Sequence, residues 1–123
     1  MAANARLTIS SVPLAIPEIV RRARVILNAG QAGTAAMSML AGIPMLALPQ
    51  HNEHGANARG AAATGAHRVL YRDERSKAAV LGTLIEMWED SALWDRAQTL
   101  ALRLRAETPK GALTVTREAL VRF

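Results

Sequence analysis

The sequence contains no cysteine, and its aromatic residues are limited to two tryptophans, one tyrosine and one phenylalanine. Without cysteine the chain can form neither disulfides nor thiolate metal sites, and it has no cysteine nucleophile. So few aromatic side chains leave little material for the stacking platforms that bind single-stranded nucleic acid. Its apolar runs stop well before the roughly 20 residues of a membrane span. These absences predict a cytoplasmic protein without a transmembrane segment.

The amino-acid composition further limits the class of protein and the partners it could bind. Half of the 123 residues are hydrophobic, and 15 basic residues stand against 10 acidic ones, which gives a net charge of +5. This apolar content excludes disorder, and the length predicts one domain over residues 1–123. The basic balance fits a phosphorylated small molecule or nucleic acid. Because the basic residues are scattered and aromatics are scarce, we expect no nucleic-acid partner; a basic nucleic-acid adaptor is the alternative, which salt-dependent binding would reveal.

Short apolar runs alternate with longer segments of helical spacing. The expected strands are 6–11, 25–28, 44–48 and 68–71, and the expected helices are 15–22, 34–41, 53–64, 76–89, 91–107 and 111–123. This alternation predicts a Rossmann-like three-layer α/β/α fold with about four parallel strands. Residues 25–27 and 45–48 are apolar at successive positions, so we expect two adjacent parallel strands that are buried on both faces.

A glycine-rich turn joins the strand ending at Asn28 to the next helix. Gly30 and Gly33 can take backbone conformations closed to other residues. Thr34 then opens a helix whose unpaired amides and positive dipole end favour a phosphate. The glycine spacing matches neither the dinucleotide fingerprint nor the P-loop. The turn therefore predicts a diphosphate cradle, with a bare packing turn as the alternative.

A polar segment at 51–58 follows the next strand. Carboxyl ends of parallel strands meet at one edge of a sheet, so this segment should lie beside the glycine turn. A carboxylate next to a donor-acceptor group, as in Glu53 and His54, can hold the vicinal hydroxyls of a sugar. The alternative is a solvated first helical turn in which Glu53 favours the helix dipole. The histidines lack a third ligand on a shared helical face, so no metal site is predicted.

Several pieces of this region match one family signature. They are Gly33-Thr34, Leu40-Ala41-Gly42-Ile43-Pro44-Met45, Leu48-Pro49-Gln50 and Glu53-His54-Gly55-Ala56-Asn57-Ala58. In this combination the chain resembles, over roughly residues 7–104, the C-terminal donor-binding half of GT-B glycosyltransferases. The type is the UDP-glycosyltransferase-like family, which includes bacterial macrolide and glycolipid enzymes.

The resemblance implies a role for each matching position. The residues implied at the donor's diphosphate are Asn28, Ala29, Gly30, Gly33 and Thr34. Those implied at the sugar are Glu53 and His54, with Asn57 in support. Those implied on the base and ribose side are Ser11, Pro13 and Met37.

Four positions depart from the family pattern. The histidine at the head of the glycine turn falls on Ala29, or on Asn28 if the turn is one residue longer. The aromatic residue that stacks on the uracil falls near Ser11, the acid that holds the ribose falls on Met37, and a glutamine is replaced by His54. These departures support an alternative function, a non-catalytic binding or assembly module that kept the fold.

The resemblance also implies a reaction and its partners. The reaction is transfer of a hexosyl group from a UDP- or dTDP-linked donor to a hydroxyl acceptor. No cofactor or metal is implied, because the helix terminus stabilises the diphosphate. In the family the acceptor and the general base come from an N-terminal domain. We therefore expect a fragment that is inactive alone, that needs this missing domain or another subunit, and that self-associates through an open sheet edge.

Overall fold

Helices and short strands alternate along the chain. A computed structural model describes residues 7–107. The described elements are α1 (Ile16–Arg22), β1 (Ile26–Asn28), α2 (Ala32–Ala41), β2 (Met45–Ala47), α3 (Asn52–Ala62), β3 (Arg68–Val69), α4 (Lys77–Glu89) and α5 (Ser91–Glu107). The strands form one parallel sheet in the order β1-β2-β3, which confirms the predicted α/β class. The helix expected over 111–123 lies outside the described residues, and no helix within them is long and apolar enough to cross a membrane.

β2 lies at the centre of the sheet. All three of its residues are 0% exposed, as predicted for a strand covered on both faces. It pairs with β1 through Ile26 opposite Met45 and with β3 through Leu46 opposite Arg68. Parallel pairing brings the carboxyl ends of the strands to one edge, and α2 and α3 begin at that edge.

Helices cover the two faces of the sheet with side chains of different size. Met45 and Ala47 pack on the α2 and α3 side, where the two helices contribute only alanines to the buried cluster. On the opposite face, Leu46 packs against Met87 of α4 and Leu93 of α5. The alternation of side chains along β2 therefore builds two cores and gives the three-layer arrangement.

The described residues form three strands rather than about four. The strand expected at 6–11 is wrong for residues 7–10, which have no regular secondary structure, and there Leu7 and Ile9 are 64% and 83% exposed. An alternating segment is stable as a strand only beside a partner strand. Within residues 7–107 β1 is consequently the outer strand, and the expected burial of Leu27 is also wrong, because this residue is 47% exposed. β3 is shorter than the predicted 68–71.

Two local signals place helix ends at bounds expected from the sequence, residue 41 for the end of α2 and residue 91 for the start of α5. Gly42 ends α2 with a φ of 74°, in the left-handed region, and its carbonyl oxygen accepts a hydrogen bond from Nε2 of Gln98 at 2.7 Å. Asp90 caps α5, since its Oδ1 accepts from the backbone N–H of Leu93 at 3.0 Å. The Gln98 bond ties α5 to the end of α2, so the last described helix helps to hold the helix that begins at the glycine turn.

His67 is a buried titratable group beside the central strand. It is 3% exposed, and its Nδ1 accepts a hydrogen bond from the backbone N–H of Met45 at 3.0 Å. Its Nε2 is buried and has no hydrogen-bond partner among the described residues. Burial disfavours the charged imidazolium and lowers the pKa of His67 from 6.5 to about 4. Protonation at Nδ1 would also break the bond to β2.

Acidification should therefore destabilise the fold through His67. Between pH 6.5 and about 4 the unfolded chain binds a proton that the folded chain does not, so the free energy of unfolding falls by up to about 3 kcal/mol across this window. His67→Asn, which keeps an acceptor for Met45 but does not titrate, should lose this part of the pH dependence. Urea unfolding at several pH values measures it; parallel curves for the two chains would contradict the prediction.

Candidate functional site

The turn after β1 is held in place by two asparagine side chains. The backbone N–H of Gly30 donates to Oδ1 of Asn28 at 2.7 Å. Nδ2 of Asn57, from the second turn of α3, donates to the carbonyl oxygen of Gly30 at 3.1 Å. Gly30 has a φ of +91°, and a Cβ at this position would lie 2.9 Å from the backbone oxygen of His54. Glycine is therefore required here both by conformation and by the close approach of α3.

α2 begins at Ala32, two residues before the predicted start at Thr34. Its N-cap is Gln31, whose backbone is extended and whose side chain makes no capping bond. Gly33 thus lies within the first helical turn and does not have a positive φ, so the backbone conformations open only to glycine are not used there. What Gly33 provides is space, since a Cβ would meet no atom within 4 Å.

The first turn of α2 offers unpaired donors next to this open space. The helix bonding starts with Ala35, whose N–H donates to the carbonyl of Gln31 at 3.0 Å. The amides of Ala32, Gly33 and Thr34 precede that bond and have no acceptor within the helix. Together with the positive end of the helix dipole they suit an anionic group.

α3 begins at the same edge with a pair of stacked histidines. Its N-cap is His51, again with an extended backbone and no side-chain cap. The imidazoles of His51 and His54 stack with ring centroids 3.6 Å apart and planes tilted by 33°. Nδ1 of His54 is buried and has no hydrogen-bond partner among the described residues. Glu53 is exposed in the same first turn, so one carboxylate faces solvent beside the histidine pair.

The structure brings the predicted diphosphate and sugar residues to one edge of the sheet. Asn28, Ala29 and Gly30 form the turn, and the Asn57 bond joins this turn directly to α3, which carries Glu53 and His54. Gly33 and Thr34 follow in the first turn of α2. None of these residues is described with a bound ligand, so their roles stay predictions.

The base-side residues belong neither to the glycine turn nor to the first turns of α2 and α3. Ser11 and Pro13 belong to the exposed, irregular segment before α1. Met37 lies with Pro17, Val20 and Leu40 in a groove of about 290 Å³ between α1 and α2. No described contact joins these three predicted residues to the glycine turn.

Sequence reasoning did not identify the contributions of two residues to the site. His51 is part of the site through its stacking on His54, and no periodicity distinguishes such a histidine from a solvated N-cap. The amide of Asn57 donates to Gly30, so Asn57 positions the turn, and this role can be seen only once α3 is known to pack there. Among the described residues there is no group of three potential metal ligands.

Comparison of structures, and not of sequences, finds known proteins that are similar to this chain. No protein-family model matches the chain, and no curated protein sequence matches it. Among solved structures, the spinosyn forosaminyltransferase SpnP superimposes with a TM-score of 0.76 at 21% identity, covering 95% of this chain and 34% of that one. The calicheamicin glycosyltransferase CalG4 gives a TM-score of 0.73 at 20% identity, covering 89% and 28%.

A third similar structure carries a ligand. The spinosyn rhamnosyltransferase SpnG, in complex with thymidine diphosphate, gives a TM-score of 0.63 at 24% identity over 85% of this chain and 30% of that one. The chain therefore spans about a third or less of the solved structures it matches. Over that part it has the fold of a GT-B glycosyltransferase.

Proposed function

We propose that this chain is the donor-binding part of a glycosyltransferase that moves a hexosyl group from a nucleoside diphosphate sugar to a hydroxyl acceptor. The observation that carries the proposal is the open first turn of α2, where Gly33 leaves space beside unpaired amides. The bond from Asn57 to Gly30 holds this turn beside the sugar-side residues of α3. The thymidine diphosphate complex of SpnG, a protein of similar fold, adds support for a nucleoside diphosphate as ligand.

The diphosphate would bind at the turn formed by residues 28–34. Its negative charge would be stabilised by the amides of the first turn of α2 and by the helix dipole, each such contribution amounting to roughly 0.3–1 kcal/mol or somewhat more when partly buried. A chain with net charge +5 also attracts such an anion over longer distances. This stabilisation needs no metal, and we include none in the proposal.

The sugar would lie over the first turn of α3. The exposed carboxylate of Glu53 can accept hydrogen bonds from two hydroxyls, and the imidazole of His54 offers a third contact. Because the rings of His51 and His54 stack at 3.6 Å, the position of His54 is restrained before a ligand arrives. A restrained side chain loses less conformational entropy on binding.

The acceptor side of the reaction would come from elsewhere. Within residues 7–107 no histidine is hydrogen-bonded to Asp or Glu, so this part offers no oriented general base of that kind. We assign the base and the acceptor site to an N-terminal domain or a second subunit, and we place the protein in the cytoplasm, in line with its lack of cysteine.

One observation favours a second candidate function. The family's histidine at the head of the glycine turn is absent, because Asn28 and Ala29 occupy that position, and the side chain of Asn28 is used inside the turn. A protein that keeps the cradle without this imidazole fits a non-catalytic module that binds a nucleotide sugar or assembles with an active partner.

The cradle is tested by filling the open space. Gly33→Leu should abolish the binding of UDP and dTDP, because the new side chain would extend over the amides of the first turn from a Cβ that meets no protein atom within 4 Å. Gly82→Leu is the matched control, since a Cβ there also meets nothing within 4 Å and α4 lies on the other face of the sheet. Amide chemical shifts of residues 28–36 report the binding. An unchanged spectrum of the parent chain at millimolar nucleotide would reject the cradle.

The sugar contact is tested at Glu53. Glu53→Ala should weaken a nucleotide sugar by about 1–3 kcal/mol more than it weakens the bare nucleotide, as expected for a lost charged hydrogen bond. Glu89→Ala removes the same charge at the exposed end of α4. It should leave the affinity for both ligands nearly unchanged, because salt screens a surface charge that lies away from the site. Calorimetric titration with both ligands gives the comparison. Equal losses for the two ligands at Glu53 would remove it from the sugar site.

Because we assign the base and the acceptor site to another domain or subunit, we predict that the 123 residues alone do not transfer sugar. Transfer needs an acceptor in line with the donor's anomeric carbon and a base within hydrogen-bond reach of its hydroxyl. Incubation with UDP- and dTDP-hexoses and a panel of hydroxyl acceptors, followed by mass spectrometry, should yield no glycoside. Repeated turnover by the purified chain would show that the base lies within it.

A further inference from the structure

The ring of His51 is an exposed aromatic surface at the start of α3. His51 is the N-cap of this helix and is exposed. One face of its imidazole stacks on His54, with ring centroids 3.6 Å apart. Within residues 7–107 the imidazole makes no hydrogen bond and no ion pair. Because the stacked face is covered, the exposed area of the ring lies on its other face and at its rim.

Helix stability does not account for a histidine at this position. The preferred N-caps are serine, threonine, aspartate and asparagine, whose side chains accept from amides of the first turn. α4 has such a cap, since Ser76 accepts from the N–H of Ala79 at 3.1 Å, and Asp90 caps α5 in the same way. His51 makes no capping bond. A position that departs from a local stability rule is expected at a functional site.

The neighbouring carboxylate limits the kind of ligand that the ring would meet. Glu53 is exposed in the same helical turn and has no ion-pair or hydrogen-bond partner within residues 7–107. An unpaired carboxylate repels a phosphate at close range, whereas it accepts hydrogen bonds from hydroxyls. The ligand above this turn should therefore be a neutral ring that carries hydroxyls, and the diphosphate should stay at residues 28–34.

A hexose can use an aromatic ring and a carboxylate at the same time. Its hydroxyls project mainly from the rim of the pyranose, and its C–H groups leave apolar areas on the two faces. An imidazole combines an apolar body with a polar tip, so its face suits such a C–H face. Glu53 would accept from hydroxyls at the rim, and the two contacts would not compete for the same atoms of the sugar.

We propose that the open face of His51 is a stacking platform for the hexosyl ring of the donor. This role rests on the proposed function, and it makes His51 a direct sugar contact in addition to a restraint on His54. Because the platform is already stacked on His54 at 3.6 Å, it would lose little side-chain entropy when the sugar binds. The contact would add affinity for a nucleotide sugar and none for the bare nucleotide.

The first experiment separates the ring surface from its nitrogens. His51→Ala should weaken a UDP- or dTDP-hexose about tenfold, or about 1.4 kcal/mol, and leave the bare nucleotide unchanged. His51→Phe keeps a ring without nitrogens, so its affinity for the sugar donor should stay within about threefold of the parent value. Trp88→Ala is the matched control, because it removes a ring that is 57% exposed on α4, across the sheet from α3. Calorimetric titration measures all four chains.

A capping variant separates sugar binding from folding. His51→Ser supplies a side chain that can cap α3, so its thermal midpoint should be no lower than that of the parent chain. It lacks the ring and should lose sugar affinity as His51→Ala does. A capped and more weakly binding variant cannot owe its loss to unfolding.

The second experiment observes the contact directly. Protons above an aromatic face are shifted upfield by the ring current, so C–H resonances of the bound hexose should move upfield with the parent chain and with His51→Phe, but not with His51→Ala. An unshifted sugar, an equal loss for nucleotide and nucleotide sugar in His51→Ala, or an equal loss in His51→Phe and His51→Ala would each overturn the platform. Nucleotide binding at residues 28–36 would in those cases leave the proposed function standing, whereas a parent chain that binds no nucleotide would overturn both.

Discussion

The complete burial of β2 is the constraint on which the rest of the molecule depends. Its three residues are 0% exposed and must be covered by α2 and α3 on one face and by α4 and α5 on the other. Strands flank it in parallel on both sides. This arrangement fixes where β1 and β2 end, and hence where the two following helices begin. The nearness of the glycine turn to the first turn of α3 is a consequence of strand pairing.

Small side chains let the two helices of the site approach closely. The buried cluster between β2, α2 and α3 contains alanines from both helices, so the helix axes can lie near the sheet. At the carboxyl edge this closeness has a conformational consequence, because Gly30 sits against the backbone of His54 with a positive φ. The bond from Asn57 to Gly30 then closes the contact. Glycine takes a positive φ without steric cost, and the close approach of α3 leaves no room for a side chain at this position.

The sequence predicted best what is decided locally. Gly42 ends α2 and Asp90 caps α5, because a left-handed glycine and an N-cap carboxylate act within a few residues of the chain. α2 begins two residues before the expected start at Thr34, since helical and turn glycines look alike in sequence and the extended backbone of Gln31 starts the helix earlier. Leu27 and residues 7–10 were misread for another reason: strand formation and burial depend on neighbours that no local pattern encodes.

For the candidate site, the sequence predicted which segments meet but not the contacts between their side chains. The order of glycine turn and polar segment follows from the alternation of strands and helices, so their meeting at one edge could be expected. The use of Asn57 to hold the turn depends on how α3 packs beside β1, and the stacking of His51 on His54 depends on side-chain rotamers; periodicity gives neither. The base-side residues rest on the resemblance alone, and no described contact joins them to the turn.

The positions of the three base-side residues indicate which contacts would supply the affinity for a donor. Ser11 and Pro13 are exposed in an irregular segment, and Met37 lines a groove beside α1; the methionine also brings no carboxylate for ribose hydroxyls. Base stacking would therefore contribute little, and the free energy of binding would come from the amides of α2 and from Glu53. Contacts to charge are sensitive to salt, whereas stacking on an aromatic ring is much less so. Donor binding through this edge should consequently discriminate poorly between uracil and thymine while weakening steeply as ionic strength rises.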